Sequence, residues 1–131
     1  MRVLLATDRP DLGHALSLFL SERSIQVVDV VDDFDCLMDR AATARPDAVL
    51  VDWGLGEAVS VQAVADLMDR DDPTPVIILS TAQERSRAHA SGAAAYATLG
   101  DPPDTLLATI REVGPGRRTT RAQPPADLGV I

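Results

Sequence analysis

Residues 46–53 read PDAVLVDW, in which an uninterrupted apolar run from Ala48 to Val51 ends at Asp52. The run consists of aliphatic and β-branched side chains, with no alternation between apolar and polar positions. Such a short and uniformly apolar run predicts a strand that is buried on both faces, as the strands of a parallel sheet are. Asp52 would then lie at the carboxyl end of that strand.

Similar apolar runs occur before and after this stretch, and helical patterns separate them. We predict four further strands, at residues 3–6, 25–31, 76–79 and 95–99. Between the runs, apolar residues recur at helical spacing, for example at Leu12, Leu16 and Leu20. Five strands that alternate with five helices predict an α/β fold, a doubly wound parallel sheet with helices on both faces.

Capping residues predict where several of these helices begin. Asp32 and Asp33 are good N-caps for the second helix, and Ser60 is one for the third. Asp101 is a predicted N-cap for the last helix, with Pro102 at its first helical position.

Length and composition indicate one globular domain. The chain has 131 residues, of which 46% are apolar and 24% are charged. No apolar run approaches the roughly 20 residues of a membrane span, and the single cysteine excludes an internal disulfide. The simplest location is the cytoplasm. We expect residues 1–115 to form the domain and residues 116–131, which include two adjacent prolines, to be a disordered tail or linker remnant.

The charge balance argues against direct nucleic-acid binding by this domain. Twenty acidic residues stand against 12 basic ones, all of them arginine, for a net charge of −8. Phosphate contacts need clustered cations, and stacking on bases needs aromatic side chains, which make up only 3% of the chain.

Polar residues follow three of the predicted strands. Asp8 ends the first strand, Asp52 ends the third, and Ser80 and Thr81 end the fourth. Ligands of doubly wound sheets bind beyond the carboxyl ends of the strands, so we expect these residues to share one site. The two carboxylates could hold Mg²⁺, and a hydroxyl could donate to a phosphoryl oxygen.

Residues 2–113 resemble the receiver domain of bacterial two-component response regulators. The resemblance lies in the order of the elements and in four strings that follow one another at suitable spacing. The strings are VLLATDRP at 3–10, PDAVLVDW at 46–53, PVIILST at 75–81 and SGAAAY at 91–96. The resemblance implies a flavodoxin-like sheet of strand order 2-1-3-4-5.

The resemblance also implies roles for individual residues. Asp52 would be the phosphoacceptor, and Asp8, Asp52 and the backbone carbonyl of Gly54 would hold Mg²⁺. Ser80, with Thr81 beside it, would contact the phosphoryl group, and Tyr96 would be the switch aromatic. The implied partner is a histidine kinase or another signalling protein, and the face formed by helix four and strand five would bind a partner or a second copy of the chain.

This sequence departs from the family pattern at the phosphorylation pocket. Thr7 stands where the family usually has a first acid, and Leu99 stands where it has a lysine. Because the chain has no lysine, only an arginine could supply that cation, and Arg9 and Arg85 are the nearest in sequence. The pocket therefore resembles a degraded one, in which we expect at most weak binding of Mg²⁺ and no other cofactor.

Two functional hypotheses follow, with a third that is weaker. The first is an atypical receiver, not an enzyme, that acts through protein–protein interaction wholly or partly without phosphorylation. The second is a conventional Mg²⁺-dependent receiver phosphorylated on Asp52. The third is a small α/β ligand-binding protein, for which no cofactor fingerprint is present.

Overall fold

The computed structural model describes residues 1–113, and these residues form five strands that alternate with five α-helices. The strands are β1 (Arg2–Ala6), β2 (Gln26–Val31), β3 (Ala48–Asp52), β4 (Val76–Ser80) and β5 (Ala95–Thr98). The helices are α1 (Pro10–Ser21), α2 (Phe34–Ala44), α3 (Glu57–Met68), α4 (Arg85–His89) and α5 (Pro103–Val113). Single 3₁₀ turns at Trp53–Leu55 and Ala82–Glu84 follow β3 and β4.

All five strands pair in parallel in the order β2-β1-β3-β4-β5, which confirms the predicted flavodoxin-like sheet. In the register, Asp52 on β3 lies opposite Leu79 on β4, and Ser80 is the next residue along β4. Ala6, Asp52 and Ser80 therefore end their strands at the same edge of the sheet. The central strands β3 and β4 are buried along their whole length, as their uninterrupted apolar runs predict.

Alternate residues of each strand pack into two separate apolar cores. Leu4 and Ala6 contribute to the core beneath α2, α3 and α4, whereas Val3 and Leu5 contribute to the core beneath α1 and α5. The division follows from the pleat, because successive side chains point to opposite faces. The helices cover both faces of the sheet and leave its carboxyl edge open to loops.

The structure corrects two of the predicted helix starts. α3 begins at Glu57 with Gly56 at its N-cap, so Ser60 lies inside the helix and does not cap it. Ser60 is fully buried, and among the described residues its hydroxyl has no hydrogen-bond partner. α5 begins at Pro103, one residue later than predicted, so neither Asp101 nor Pro102 has its predicted position. Packing of the apolar face, and not the local capping signal, decided the first of these boundaries.

Other boundaries agree with the sequence more closely. Asp33 is the N-cap of α2, where its carboxylate accepts a hydrogen bond from the backbone N–H of Cys36 at 2.7 Å. Strand β5 ends at Thr98, and Leu99 forms only an isolated bridge with Asp101. The predicted boundary at residue 115 and the tail predicted for residues 116–131 lie outside the described residues. Within residues 1–113, no helix is both long enough and apolar enough to cross a membrane.

Candidate functional site

The centre of the site is the carboxylate of Asp52, which is 1% exposed at the carboxyl end of β3. The hydroxyl of Thr7 donates a hydrogen bond to its Oδ2 at 2.8 Å, and Nε of Arg9 donates to the same oxygen at 3.0 Å. The backbone N–H of Gly54 donates to Oδ1 at 2.9 Å. Both carboxylate oxygens are therefore engaged by groups of the chain itself.

The loop from β1 to α1 holds Thr7 and Arg9 in place. The backbone N–H of Thr7 donates to the carbonyl of Val31 at 2.8 Å, which extends the pairing of β1 with β2. The hydroxyl of Thr7 in turn accepts from the backbone N–H of Arg9 at 3.2 Å. Pro10 is at the start of α1, with Arg9 as the N-cap in an extended conformation. These contacts direct the Arg9 side chain toward β3.

Arg9 and Asp52 form an ion pair of unequal burial. The Asp52 side chain is 2% exposed, whereas the Arg9 side chain is 46% exposed. The hydrogen bond to Asp52 raises the pKa of the Arg9 guanidinium above its usual value. Burial opposes this rise, and the charges of Asp52, Asp11 and Asp8 add to it. A buried carboxylate needs such a partner, because its charge is costly to remove from water.

The remaining predicted site residues lie around this edge of the sheet. Ser80 is buried at the end of β4, one position beyond the residue paired with Asp52. Thr81 is exposed at the start of the 3₁₀ turn, where its backbone N–H donates to the carboxylate of Glu84 at 3.0 Å. Asp8 is exposed in the loop between Thr7 and Arg9. The structure thus brings Asp52, Thr7, Arg9 and Gly54 into contact, with Ser80 on the neighbouring strand.

Tyr96 belongs to a second region, formed by α4 and β5. Its hydroxyl donates to the backbone carbonyl of His89 at 2.9 Å, and its ring stacks on the His89 imidazole with a centroid distance of 4.1 Å. On the same face, Nη2 of Arg85 donates to the hydroxyl of Thr98 at 3.1 Å. The sequence made Arg85 a candidate cation for the pocket. Among the described residues, however, its side chain donates to Thr98 on β5 and not to Asp52.

The position after β5 is occupied by an apolar side chain. Leu99 packs against the core that lies beneath α1 and α5, and its backbone N–H donates to the carbonyl of Ser80 at 2.7 Å. No cation reaches the site from this position. Sequence reasoning identified the Leu99 and Thr7 departures, but it missed that Thr7 and Arg9 together satisfy one oxygen of Asp52. The sequence feature that could have indicated this contact is the occurrence of Thr7 and Arg9 directly after the first strand.

Residues 3–111 match the family model of the response regulator receiver domain, and the chain belongs to this family. Members of this family are generally non-enzymatic signalling modules of two-component systems, and they interact with histidine kinases and effector domains. The family match and the sheet order confirm the resemblance predicted from the four sequence strings.

Curated relatives match the chain at modest identity. The phosphate regulon transcriptional regulatory protein PhoB of Escherichia coli is 28% identical over 119 residues, which are 86% of this chain and 51% of that protein. A protein-glutamate methylesterase/protein-glutamine glutaminase of Archaeoglobus fulgidus is 29% identical over 118 residues, 86% of this chain and 33% of that protein. The chain therefore spans between a third and half of the length of these relatives.

Solved structures share the fold. The beryllofluoride-activated receiver domain of RstA from Klebsiella pneumoniae superposes with a TM-score of 0.72 at 24% identity, covering 86% of this chain and 97% of that chain. NtrX from Brucella abortus, solved in complex with ATP, superposes with a TM-score of 0.76 at 18% identity, covering 98% of this chain and 29% of that one.

Receiver domains typically bind Mg²⁺ at the phosphorylation site. In this chain both oxygens of the Asp52 carboxylate accept hydrogen bonds from groups of the chain itself. Within residues 1–113, no group of three or more His, Cys, Asp or Glu side chains could hold a metal. Thr7 stands where the family usually has the first of two acids, and its hydroxyl donates a hydrogen bond to Asp52. Nε of Arg9 donates to the same Asp52 oxygen that accepts the hydrogen bond of Thr7.

Proposed function

We propose that this receiver domain acts through protein–protein interaction, and that phosphorylation of Asp52 is not what controls it. The observation that carries the proposal is the double engagement of Oδ2 of Asp52 by the hydroxyl of Thr7 and by Nε of Arg9. A carboxylate must present a free oxygen to attack a phosphoryl group. Here Oδ2 of Asp52 is held by the ion pair with Arg9 and by the hydrogen bond from Thr7. Oδ1 of Asp52 accepts a hydrogen bond from the backbone N–H of Gly54.

Missing charge near the pocket supports the same conclusion. Phosphoryl transfer is catalysed mainly by cations that neutralise the transferring group. Thr7 and Leu99 replace the acid and the lysine that would hold a metal ion and contact the phosphoryl group, and Leu99 packs into an apolar core. The only described cation in contact with Asp52 is Arg9, which is already paired with it.

The α4–β5 face, defined here by Arg85, His89, Tyr96 and Thr98, is the surface that we propose for partner binding. His89 and Arg85 are exposed, and Tyr96 and Thr98 are partly exposed. The His89–Tyr96 stack and the Arg85–Thr98 hydrogen bond hold α4 against β5. An aromatic pair with flanking arginine is a composition that protein interfaces favour. A histidine kinase or another signalling protein is the proposed partner.

One experiment tests whether Asp52 is a phosphoacceptor. The purified domain is incubated with acetyl phosphate and millimolar Mg²⁺, and its intact mass is followed over time. A receiver domain that acetyl phosphate does phosphorylate is the positive control. The proposal predicts no gain of a phosphoryl group in the wild-type protein. A phosphoryl gain that Asp52→Asn abolishes would overturn it.

The runner-up function is that of a conventional receiver phosphorylated on Asp52, with Gly54 and Asp8 helping to hold Mg²⁺ and Ser80 contacting the phosphoryl group. The observation in its favour is the retained carboxylate at the carboxyl end of the central strand β3, next to Ser80 on β4. Beryllofluoride distinguishes the two functions. A saturable change in the fluorescence of Trp53, the single tryptophan and the neighbour of Asp52, would favour phosphorylation if Asp52→Asn removed it.

We also propose that a second copy of the chain binds the α4–β5 face. Tyr96 is the suitable position for a charged substitution on this face, because the neighbouring Ala97 is only 7% exposed and packs into the core. Sedimentation velocity over a range of concentrations should show dimers in the wild type that Tyr96→Glu removes. A monomer at all concentrations would exclude this occupant.

A further inference from the structure

The negative charge of Asp52 is balanced by the positive charge of Arg9. The carboxylate is buried, and Arg9 is the only cationic side chain among the described residues that contacts it. Thr7 and Gly54 add hydrogen bonds but no charge. Removing Arg9 would leave a buried negative charge without a positive partner, which is an unfavourable state for a folded protein.

Arg9 is positioned by the backbone around it. It is the N-cap residue of α1, Pro10 follows it, and its backbone N–H donates to Thr7. Thr7 and the Arg9 side chain converge on one oxygen of Asp52, from the loop of a neighbouring strand. The Arg9 side chain thus pairs with a carboxylate that is 2% exposed while it is itself 46% exposed.

We infer that Arg9 is the resident cation of the Asp52 pocket, and that it takes the place of a divalent metal ion and excludes one. The inference rests on the proposed function only for the identity of this pocket as the one that the family uses for phosphorylation. A cation that approached Asp52 would meet the positive charge of Arg9 and the hydroxyl of Thr7, with Asp8 as a single exposed carboxylate nearby. Mg²⁺ is usually held by one or two carboxylates together with water, and here Oδ2 of Asp52 already accepts from Thr7 and Arg9.

The inference predicts that metal binding is recovered when Arg9 is removed. In Arg9→Ala, Oδ2 of Asp52 loses the guanidinium and keeps the hydrogen bond from Thr7, while the exposed carboxylate of Asp8 remains in the same loop as Thr7. A free divalent cation can then compensate the buried charge. We expect the dissociation constant for Mg²⁺ to fall by at least about tenfold relative to wild type, since a competing positive charge is removed at a contact distance of a few ångström.

The test measures Mg²⁺ binding to the whole chain by Trp53 fluorescence and by calorimetry, in wild type and in four variants. Arg9→Ala and Arg9→Gln remove the charge, and Arg9→Lys keeps a cation at the same position. Arg85→Ala is the matched control, because it removes an arginine of the same sheet edge that has no hydrogen bond with Asp52. Mg²⁺ should bind more tightly to Arg9→Ala and Arg9→Gln than to the wild type. Its affinity for Arg9→Lys and Arg85→Ala should equal that of the wild type.

Thermal melting supplies a readout that does not depend on fluorescence. A ligand that binds only the native state raises the melting temperature. Mg²⁺ should therefore raise the melting temperature of Arg9→Ala and Arg9→Gln more than that of the wild type, and should partly restore any stability that the substitution removes.

Two results would overturn the inference. One is an equal affinity for Mg²⁺ in the wild type and in both charge-removing variants. The other is tight Mg²⁺ binding to Arg9→Lys, which would show that charge at position 9 does not exclude the metal. Neither result decides whether the wild-type domain is phosphorylated, since the acetyl phosphate experiment answers that question separately.

Discussion

The hydroxyl of Thr7 lies 2.8 Å from Oδ2 of Asp52, so a neutral side chain at the position of a usual acid satisfies the buried carboxylate. Substitution of Thr7 by valine keeps the size and removes the donor. We expect the free energy of unfolding to fall by about 1–2 kcal/mol, because a buried hydrogen bond to a charged acceptor is lost. Urea denaturation measures the difference.

Thr7→Ser is the matched control for this prediction, since it keeps the hydroxyl and removes only a methyl group. It should retain most of the stability that Thr7→Val loses. Equal stability of Thr7→Val and the wild type would show that Arg9 and Gly54 satisfy Asp52 without Thr7.

The Arg9–Asp52 ion pair should be detectable as an energetic coupling. Because Arg9 is about half exposed, solvent screens the pair, and a double-mutant cycle with Arg9→Ala and Asp52→Asn should give about 1 kcal/mol. The exposed pair Arg87–Glu57, with a separation of 3.8 Å, is the comparison and should give a coupling near zero. A coupling at Arg9–Asp52 no larger than at Arg87–Glu57 would contradict the assignment of Arg9 as the partner of Asp52.

The N-cap of α2 should make stability depend on pH. The backbone N–H of Cys36 holds the pKa of the Asp33 carboxyl below its usual value, and the Cys36 thiol adds to the effect. The ionised form is therefore favoured in the folded state. Its contribution to stability is complete above about pH 4, near the unfolded pKa, and is lost as pH falls through the lower folded value.

Asp33→Ala should lower the free energy of unfolding at pH 7, and the deficit should shrink as pH falls below about 4. Asp33→Asn caps the helix without titrating, so its stability should differ little from the wild type at pH 7. Chemical denaturation at pH 7, 5 and 3 measures both. A deficit in Asp33→Ala that stayed constant over this range would argue against the ionised cap.

The buried hydroxyl of Ser60 should cost stability. It has no hydrogen-bond partner among the described residues and lies inside α3. Ser60→Ala removes an unsatisfied polar group and adds a stronger helix former, so the free energy of unfolding should rise by about 1 kcal/mol. Ser17→Ala on α1, at a partly exposed position, estimates the helix-propensity part alone and should give a smaller gain. No gain in Ser60→Ala beyond Ser17→Ala would indicate that the Ser60 hydroxyl is satisfied in solution.

Tyr96 should contribute to stability through its ring more than through its hydroxyl. Tyr96→Phe removes the hydrogen bond to the His89 carbonyl and keeps the stack, and we expect a loss of up to about 1 kcal/mol. Tyr96→Ala removes the ring contact with the core as well and should lose more. Thermal denaturation compares the two variants. An equal loss in Tyr96→Phe and Tyr96→Ala would show that the hydrogen bond, and not packing, holds the α4–β5 face.

Sequence reasoning reached most of the sheet, because continuous apolar runs are a local signal. The run at Ala48–Val51 became the central strand β3, and the run at Val76–Leu79 became β4, with Ser80 added at its end. The placement of Asp52, Ser80 and Thr81 at one edge of the sheet could be predicted because the carboxyl ends of parallel strands lie at the same edge. The start of α3 was predicted at the wrong residue, since a serine that looks like a cap can equally lie inside a helix whose apolar face decides the start.

Asp52 at the end of a strand, the absence of lysine and the Thr7 and Leu99 substitutions are properties of the sequence by itself, and they indicated an altered pocket before any distance was known. The tertiary structure alone decided that Arg9 pairs with Asp52 and that Arg85 bonds to Thr98 instead. Arg9 and Asp52 are 43 positions apart in the chain. Their contact exists because β1 and β3 are neighbours in the sheet, and because a buried carboxylate needs a positive partner where one can reach it.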